Sequence, residues 1–478
     1  MRTQEPASSS TPIVPSDWAL HEFGHAQLGD ERRTQRLTMI ATAFAQQPTA
    51  SIPQAMPDWA AAKGTYRFFA TEDIPASAIR EAHHQATLQR VQDHPVILAV
   101  QDTTTLNYST HPQTQGLGSI GSHSPKTVGL IMHSTLAITP TGVPLGFVHT
   151  SVRARKAARG QRATRHRRKL ADKESVKWVE SLTACQALAT QCPQTQWINV
   201  TDREGDLYEW FAQALAPTAD PRVHLLVRSR HNRPLEDQTK TLWERVRARP
   251  VAATLEVCVG SRNQQPSRLA TVSIRFAEVT LEPPRRHTHL GPLRVWVVEA
   301  YEARSPKGAE PILWRLVTTV PVTSAQEAIL CVRWYSQRWQ IEVLHRVLKS
   351  GCRIEQRQLE TAQRLDRALA VDQVVAWRIL GLCKAAREQP DASIAQWLSQ
   401  AEWEALWCKI HRRVDPPKTP PTVGQAVRWI ARLGGFLGRR RDGHPGPTTL
   451  WRGFHRLTDL TAMYELCHRK KGSKKCVQ

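Results

Sequence analysis

The sequence predicts an α/β protein in which a β-rich central part lies between two helical parts. Short continuous apolar runs at residues 96–100 and 197–200 are typical of buried strands, whereas residues 16–82 and 360–388 follow the helical period. With 478 residues, the chain is longer than one compact domain usually is, so two or three domains are expected.

The composition indicates a polyanionic partner. A formal net charge of +23 is typical of a protein that meets nucleic acid, and a hydrophobic content of 41% still allows buried cores. No apolar run is long enough for a transmembrane helix, and the first residues lack the apolar core of a signal peptide. The nine cysteines form no C-x-x-C pair, which argues against a zinc site or a disulfide framework. We therefore expect a cytoplasmic, nucleoid-associated protein with no membrane contact.

The first helical part carries many arginines. Asp30 is a predicted N-cap, and Arg32 and Arg33 follow it on an exposed helix face. A second helical stretch carries Arg67. These arginines fit either a DNA-binding surface or an ordinary solvated helix surface.

Two predicted strands lead into aspartates. The run at 96–100 is followed by Asp102, and the run at 197–200 is followed by Asp202. Between them, residues 128–138 and 142–148 indicate a hairpin, and residues 173–191 a helix. Because strand ends meet at one edge of an α/β sheet, the two carboxylates are expected to converge there. Either aspartate alone could merely cap a turn.

The remaining elements follow in order. Residues 223–227 predict a strand ending at Arg228, and residues 240–322 are β-rich. Ser324 and Glu327 form a predicted capping box that starts a long helix, and Gly351 is its predicted end. A proline-rich joint at 415–421 precedes the last helical segment.

The long helix predicts a polar face with a distinct chemistry. Tyr335 is followed by Arg338, Glu342 and Lys349 at offsets of three, seven and fourteen residues. At about 100° per residue, these side chains span an arc of roughly 60° on an ideal helix. A carboxylate that binds a metal, with cations that bind phosphates, is suited to phosphodiester chemistry. An ordinary amphipathic helix has the same pattern.

Three distant carboxylates make the metal hypothesis more specific. Asp102, Asp202 and Glu342 together could share two Mg²⁺ ions, with Mn²⁺ able to substitute, because hard cations prefer oxygen ligands. Two such metals stabilise the attacking and leaving oxygens of an in-line displacement.

These motifs resemble one family, the DD-E cut-and-paste transposases of bacterial insertion sequences, in the branch named for its Y-R-E-K motif. The resemblance rests on an Asp after a buried strand, a second Asp in Thr-Asp-Arg-Glu-Gly-Asp, and Tyr-x2-Arg-x3-Glu-x6-Lys on a helix. Further similar segments lie at residues 28–37, 66–68, 171–178, 434–436 and 450–451, so the likeness covers nearly the whole chain.

The resemblance implies an RNase H-like catalytic core with a β-rich insertion, flanked by helical N-terminal and C-terminal domains. The implied domains are a DNA-end-binding domain at 1–75, a catalytic domain at 76–372 with the insertion at about 240–322, and a dimerisation domain with a basic tail at 373–478.

The resemblance also implies residue roles. Asp102, Asp202 and Glu342 would be catalytic metal ligands, and Tyr335, Arg338 and Lys349 would contact DNA near the cleaved end. The resemblance implies two further DNA contacts, and each has an alternative interpretation. Trp314 would stack on a flipped base, or it belongs to the core of the insertion. Arg228 would contact DNA, or it is an ordinary surface arginine.

The implied reaction starts at terminal inverted repeats of double-stranded DNA. Hydrolysis nicks the transposon end, the freed 3′-hydroxyl forms a hairpin on the opposite strand, and the reopened end is joined to target DNA. Two paired ends imply a homodimer. The alternatives are an RNase H-like nuclease or resolvase without strand transfer, and a non-catalytic DNA-binding regulator of transposition.

Two other motifs carry weaker predictions. The basic run at 153–169 fits phosphate contact or a solvated loop. The G-x-G-x-x-G match at 116–121 follows no apolar strand and opens no clear helix, so we interpret it as a loop rather than a dinucleotide site.

Overall fold

The computed structural model describes residues 18–121, 127–155, 175–220, 222–237, 239–259, 268–439 and 442–469. The helices are α1 Trp18–Phe23, α2 Glu31–Gln46, α3 Ile52–Ala55, α4 Trp59–Ala70, α5 Ala76–Val91, α6 Val176–Ala189, α7 Tyr208–Ala214, α8 Leu242–Arg247, α9 Ala325–Ser336, α10 Gln340–Arg346, α11 Ala362–Glu388, α12 Gln400–His411, α13 Val423–Leu433 and α14 Pro447–Arg469. The strands are β1 Val96–Asn107, β2 Gly118–Ser119, β3 Val128–Ile138, β4 Pro144–Arg153, β5 Gln196–Thr201, β6 Val223–Arg228, β7 Ala253–Val259, β8 Arg268–Leu281, β9 Leu293–Tyr301 and β10 Leu313–Thr318. Most of the predicted basic run, residues 156–169, lies outside the described residues.

The predicted N-terminal helices are present. Asp30 caps α2, since its side chain accepts a hydrogen bond from the backbone N–H of Arg32 at 2.8 Å. α2 and α4 pack closely where Gly64 faces the Arg36 guanidinium, so a Cβ at this position would require the arginine side chain to shift.

One mixed sheet forms the centre of the molecule, in the order β4–β3–β1–β5–β6–β10–β9–β8–β7, with β2 also on β3. β4, β3 and β1 are antiparallel to each other, whereas β1, β5 and β6 are parallel. A three-stranded antiparallel unit followed by two parallel strands confirms the RNase H-like core predicted from the sequence.

β1 is longer than predicted, so Asp102 lies within the strand rather than at its end. Residues 96–100 pair with β5, and β1 then continues beside β3 alone as far as Asn107. The β-branched residues 103–105 favour this extended continuation.

The β-rich insertion is continuous with the core sheet. β10 pairs antiparallel with β6 through Leu316 and Arg228, and β9, β8 and β7 follow in turn. The insertion therefore extends the core sheet instead of forming a detached unit.

The long helix predicted to begin at Ser324 is not one ideal helix. Its capping box is confirmed, because Ser324 and Glu327 exchange side-chain and backbone hydrogen bonds. However, tight i→i−3 hydrogen bonds separate α9 from α10, and α10 ends in a π-helical turn, Val347–Gly351. These departures from 3.6 residues per turn change the direction of the side chains beyond Ser336.

α11 connects the two helical ends of the chain. It runs through the predicted domain boundary at residue 373 and packs against α2, α4 and α5 as well as α13 and α14. Although α11 and α14 are long, no helix among the described residues is both long and apolar enough to span a membrane.

Candidate functional site

Asp102 and Asp202 are neighbours across two parallel strands. The last paired residues of β1 and β5 are Val100 and Val200, and each aspartate lies two positions beyond its valine. Since neighbouring strands are about 4.8 Å apart and side chains alternate in direction, both carboxylates lie on the sheet face of Val100 and Val200. Asp202 also accepts a hydrogen bond from Glu204 N–H at 2.9 Å, which caps the turn after β5.

Glu342 approaches the same face from α10. Its neighbours Ile341 and Leu344 are fully buried in the core that also contains Val100 and Val200. α10 contacts β1 directly. Apolar packing therefore positions the third carboxylate above the strand that carries the first.

The pKa of Asp102 shows that the three charges interact. Burial raises it to about 6, and the negative charges of Asp202 and Glu342 add to the increase. The hydrogen bond from the backbone of Thr103 and the charge of Arg338 oppose it. A partly buried carboxylate beside two others is a site that favours a cation.

Arg338 lies among these carboxylates. Its guanidinium hydrogen-bonds and forms an ion pair with Glu342. Burial alone would lower the pKa of Arg338, but Tyr335 and Glu342 outweigh it and raise the pKa. Its side chain is 17% exposed, so the cation is held in place rather than solvated.

Tyr335 does not lie on an exposed polar face as predicted. It is only 4% exposed and packs edge-to-face against Trp314, with ring centroids 5.1 Å apart. Burial raises the pKa of its phenol, and the positive charges of Arg338 and Arg228 oppose the increase. The ideal-helix face was wrong here because it ignored the sheet that packs against α9 and the Trp314 ring that covers Tyr335.

The structure brings Trp314 and Arg228 to the same place. Trp314 lies partly buried on β10, and Arg228 ends β6, the neighbouring strand. The Arg228 Nη2 donates to the Leu313 carbonyl at 3.1 Å, beside Trp314. The packing of Trp314 agrees with an insertion-core indole, and its stacking on a base stays a prediction.

The other predicted DNA contacts lie apart from the three carboxylates. Lys349 Nζ is 3.9 Å from the carboxylate of Glu355, which in turn accepts the N–H of Asn107 at the far end of β1.

In the N-terminal helices, Arg32 and Arg67 are exposed. Arg33 instead donates to the Leu28 carbonyl at 2.9 Å and to Asp73 at 3.4 Å. Among the described residues, no side-chain hydrogen bond or ion pair engages the guanidinium of Arg32 or Arg67.

The ligand type of the three carboxylates suits a divalent metal, but their side chains are not arranged as a coordination site. Their oxygens are hard ligands and their charges interact, as the pKa of Asp102 shows. Across the described ranges, no three His, Cys, Asp or Glu side chains are grouped as metal ligands. The carboxylate of Glu342 is instead engaged by the guanidinium of Arg338.

Two residues near the site had no role in the sequence prediction. Ser134 lies directly across β3 from Asp102, and its buried hydroxyl has no hydrogen-bond partner among the described residues. Lys177 lies 3.6 Å from Glu204 and over the Trp178 ring. Lys177 and Trp178 belong to the family-like segment at residues 171–178, whereas only the sheet register reveals Ser134.

Comparisons with known proteins identify the family of the chain. Residues 15–74 match the family model described as transposase DNA-binding, residues 146–371 match the transposase DDE domain, and residues 374–468 match the transposase Tn5 dimerisation domain. The DDE match includes Asp202 and Glu342, whereas Asp102 precedes it. None of these models identifies the Y-R-E-K branch, which stays a prediction.

Among solved structures, the chain is similar to a piggyBac transposase synaptic complex with hairpin DNA determined by cryo-EM. The identity is 9%, the TM-score is 0.36, and the match covers 94% of this chain and 74% of the other. This likeness is too weak to support an argument.

The three family matches follow one another along the chain in the order of DNA binding, catalysis and dimerisation. The chain therefore belongs to the DDE transposases as a Tn5-like cut-and-paste enzyme.

Proposed function

We propose that Asp102, Asp202 and Glu342 are the catalytic carboxylates of this transposase and that they bind Mg²⁺, with Mn²⁺ able to substitute. The observation that carries the proposal is the register of β1 and β5, which aligns the two aspartates, together with the contact between β1 and α10, the helix that carries Glu342. The raised pKa of Asp102, to which the charges of Asp202 and Glu342 contribute, supports it. When bound, a pair of such cations activates the attacking oxygen and stabilises the leaving oxygen.

The cationic and aromatic groups around the carboxylates would bind DNA. Arg338 is held among the acidic groups by its ion pair with Glu342, and its guanidinium would bind a DNA phosphate there. Arg228 and Trp314 border the same region, and the buried phenol of Tyr335 supports the Trp314 ring. Trp314 is partly buried, so only its open face could stack on a base.

Residues farther from the carboxylates would extend the DNA contact. Lys349 lies near Asn107, five residues along β1 from Asp102, or about 17 Å at 3.3 Å per residue. About five base pairs of duplex span that distance. Arg32, Arg33 and Arg67 would bind the transposon end in the N-terminal domain, Arg33 only if it releases Asp73.

The proposed reaction is nicking at a terminal inverted repeat, hairpin formation by the freed 3′-hydroxyl, and transfer of the reopened end to target DNA. A homodimer on two paired ends would perform it, and the match of residues 374–468 to a dimerisation domain supports this assembly. Action on chromosomal DNA implies nucleoid association, which is part of the same proposal.

Glu342→Gln tests the carboxylate assignment. The variant should bind end-bearing DNA with unchanged affinity and lose cleavage at least about 100-fold, because the amide cannot replace an anionic ligand. Glu360→Gln is a matched control, since Glu360 likewise pairs with an arginine four residues away, Arg364, but lies outside the site. Unchanged cleavage by Glu342→Gln would remove Glu342 from the metal site.

A second assay separates the transposase from a nuclease or resolvase. Wild-type protein, Mg²⁺, end-bearing DNA and a target plasmid should yield joined products. Hairpins and nicks without joined products would support a nuclease, and binding without any cleavage would support a regulator.

A further inference from the structure

The backbone ladder between β1 and β5 stops just before the two aspartates. Paired residues end at Val100 and Val200, and within the described part of the chain β1 continues with β3 as its one strand partner. The ladder sets the register of the two strands, and the position of Asp102 relative to Asp202 depends also on interactions beyond its last pair.

On the sheet face opposite to Asp102 and Asp202, side-chain hydrogen bonds connect β1 to β5 and to β3. Gln101 Nε2 donates to Asn199 Oδ1 at 2.9 Å, which joins β1 to β5. Gln101 Oε1 lies 3.1 Å from His133 Nε2, and His133 Nδ1 lies 3.0 Å from the Thr103 hydroxyl. The chain of contacts ends at Asp102, whose Oδ1 accepts the backbone N–H of Thr103 at 2.8 Å.

The hydrogen bond between Gln101 and Asn199 determines which atoms donate and which accept in the rest of this chain of contacts. The oxygen of Asn199 faces two donors, the Gln101 amide and the Cys185 thiol at 3.7 Å, so the Gln101 oxygen is directed to His133. His133 must then donate from Nε2, which leaves Nδ1 to accept the Thr103 hydroxyl proton.

The surroundings keep this histidine neutral and fixed. His133 is 1% exposed, and its ring packs edge-to-face on Trp178 at 4.6 Å. Burial lowers its pKa well below the usual value, and nearby positive charge from Lys177 adds to the effect. A neutral imidazole can keep one donor and one acceptor throughout the physiological pH range.

We propose that His133 is a positioning residue for catalysis: through Thr103 and Gln101 it holds the Asp102 segment of β1 in register with the Asp202 end of β5. The inference rests on the proposed function of the two aspartates and adds the element that sets their spacing. It is physically reasonable because small displacements of a catalytic group cost large factors in rate.

Thr103→Val tests the link, because valine keeps the shape and removes the hydroxyl. Cleavage of end-bearing DNA should fall about 10- to 100-fold, and half-maximal activity should need more Mg²⁺. Thr103→Ser, which retains the hydroxyl, should restore both quantities. Thr105→Val is the matched control on the same strand face, where the side chain is exposed, and should behave as wild type.

The outcomes distinguish the two proposals. Wild-type protein that cleaves no end-bearing DNA contradicts the proposed function. Wild-type cleavage together with equal cleavage by Thr103→Val and Thr103→Ser overturns only the positioning role. DNA binding without divalent ions should be unchanged in all variants, and a loss of binding in Thr103→Val would overturn a role confined to positioning.

A spectroscopic measurement on the wild-type protein covers the case in which Thr103→Val fails to fold. Nitrogen NMR of histidine-labelled protein, assigned with His133→Gln, should show Nε2 protonated and Nδ1 unprotonated from pH 6 to 8. A protonated Nδ1 would overturn its role as the acceptor for Thr103.

Discussion

Arg357 and Asp372 form a buried ion pair that fastens the N-terminal helices to α11. Arg357 donates to the Asp372 carboxylate from Nε at 3.0 Å and from Nη2 at 2.7 Å. Its Nη1 donates to the Ala50 carbonyl at 3.1 Å, and the guanidinium lies 3.9 Å from the Phe44 ring centroid. The two charged side chains are 4% and 1% exposed, so solvent cannot replace either partner.

Asp372→Asn should therefore be strongly destabilising. Removing one member of a buried pair costs about 3–5 kcal/mol, because the remaining charge stays buried without compensation. We expect the lower end, about 3 kcal/mol, since the asparagine oxygen still accepts one hydrogen bond. Denaturant unfolding followed by tryptophan fluorescence measures the change in the free energy of unfolding.

The control is a surface pair of similar geometry. Glu278 and Arg294 approach to 2.6 Å, but both are largely exposed, so Glu278→Gln should leave the unfolding midpoint nearly unchanged. The double variant Arg357→Met with Asp372→Leu should recover much of the loss, because no charge stays buried. A midpoint shift for Asp372→Asn no larger than that for Glu278→Gln would refute the reasoning.

Two further predictions concern stability. Burial lowers the pKa of His83 to about 4, although the charge of Glu22 opposes this, whereas an unfolded histidine titrates near 6.5. The unfolded chain then binds more protons in this window, so stability should fall by up to about 3 kcal/mol as the pH drops from 6.5 to 4. Thermal unfolding across that range should be less pH-dependent in His83→Gln, and equal slopes would contradict this. In the C-terminal part, a Cβ on Gly453 would lie 1.9 Å from the Ile430 carbonyl oxygen, so Gly453→Ala should force α13 and α14 apart and cost about 1–3 kcal/mol. The unfolding midpoint should drop far less in Gly446→Ala, where the added atom meets nothing within 4 Å.

Features with a local cause could be predicted from the sequence. The strand ending at Arg228, the hairpin of β3 and β4, and the capping box of Ser324 and Glu327 follow from residue alternation, turn residues and side-chain to backbone hydrogen bonds. The acidic residues and the spacing of Tyr335 to Lys349 were sufficient to suggest the transposase family, because these signals depend on residue identity alone.

Other features were decided only by the tertiary structure. The ideal period placed Tyr335 on a polar face, but packing of α9 against Trp314 buries it. The strand length of β1 depends on pairing with β3, which is remote in sequence, and that pairing also brings His133 to Thr103. Periodicity within one segment carries no information about the register between segments, and register is what sets the distance between Asp102 and Asp202.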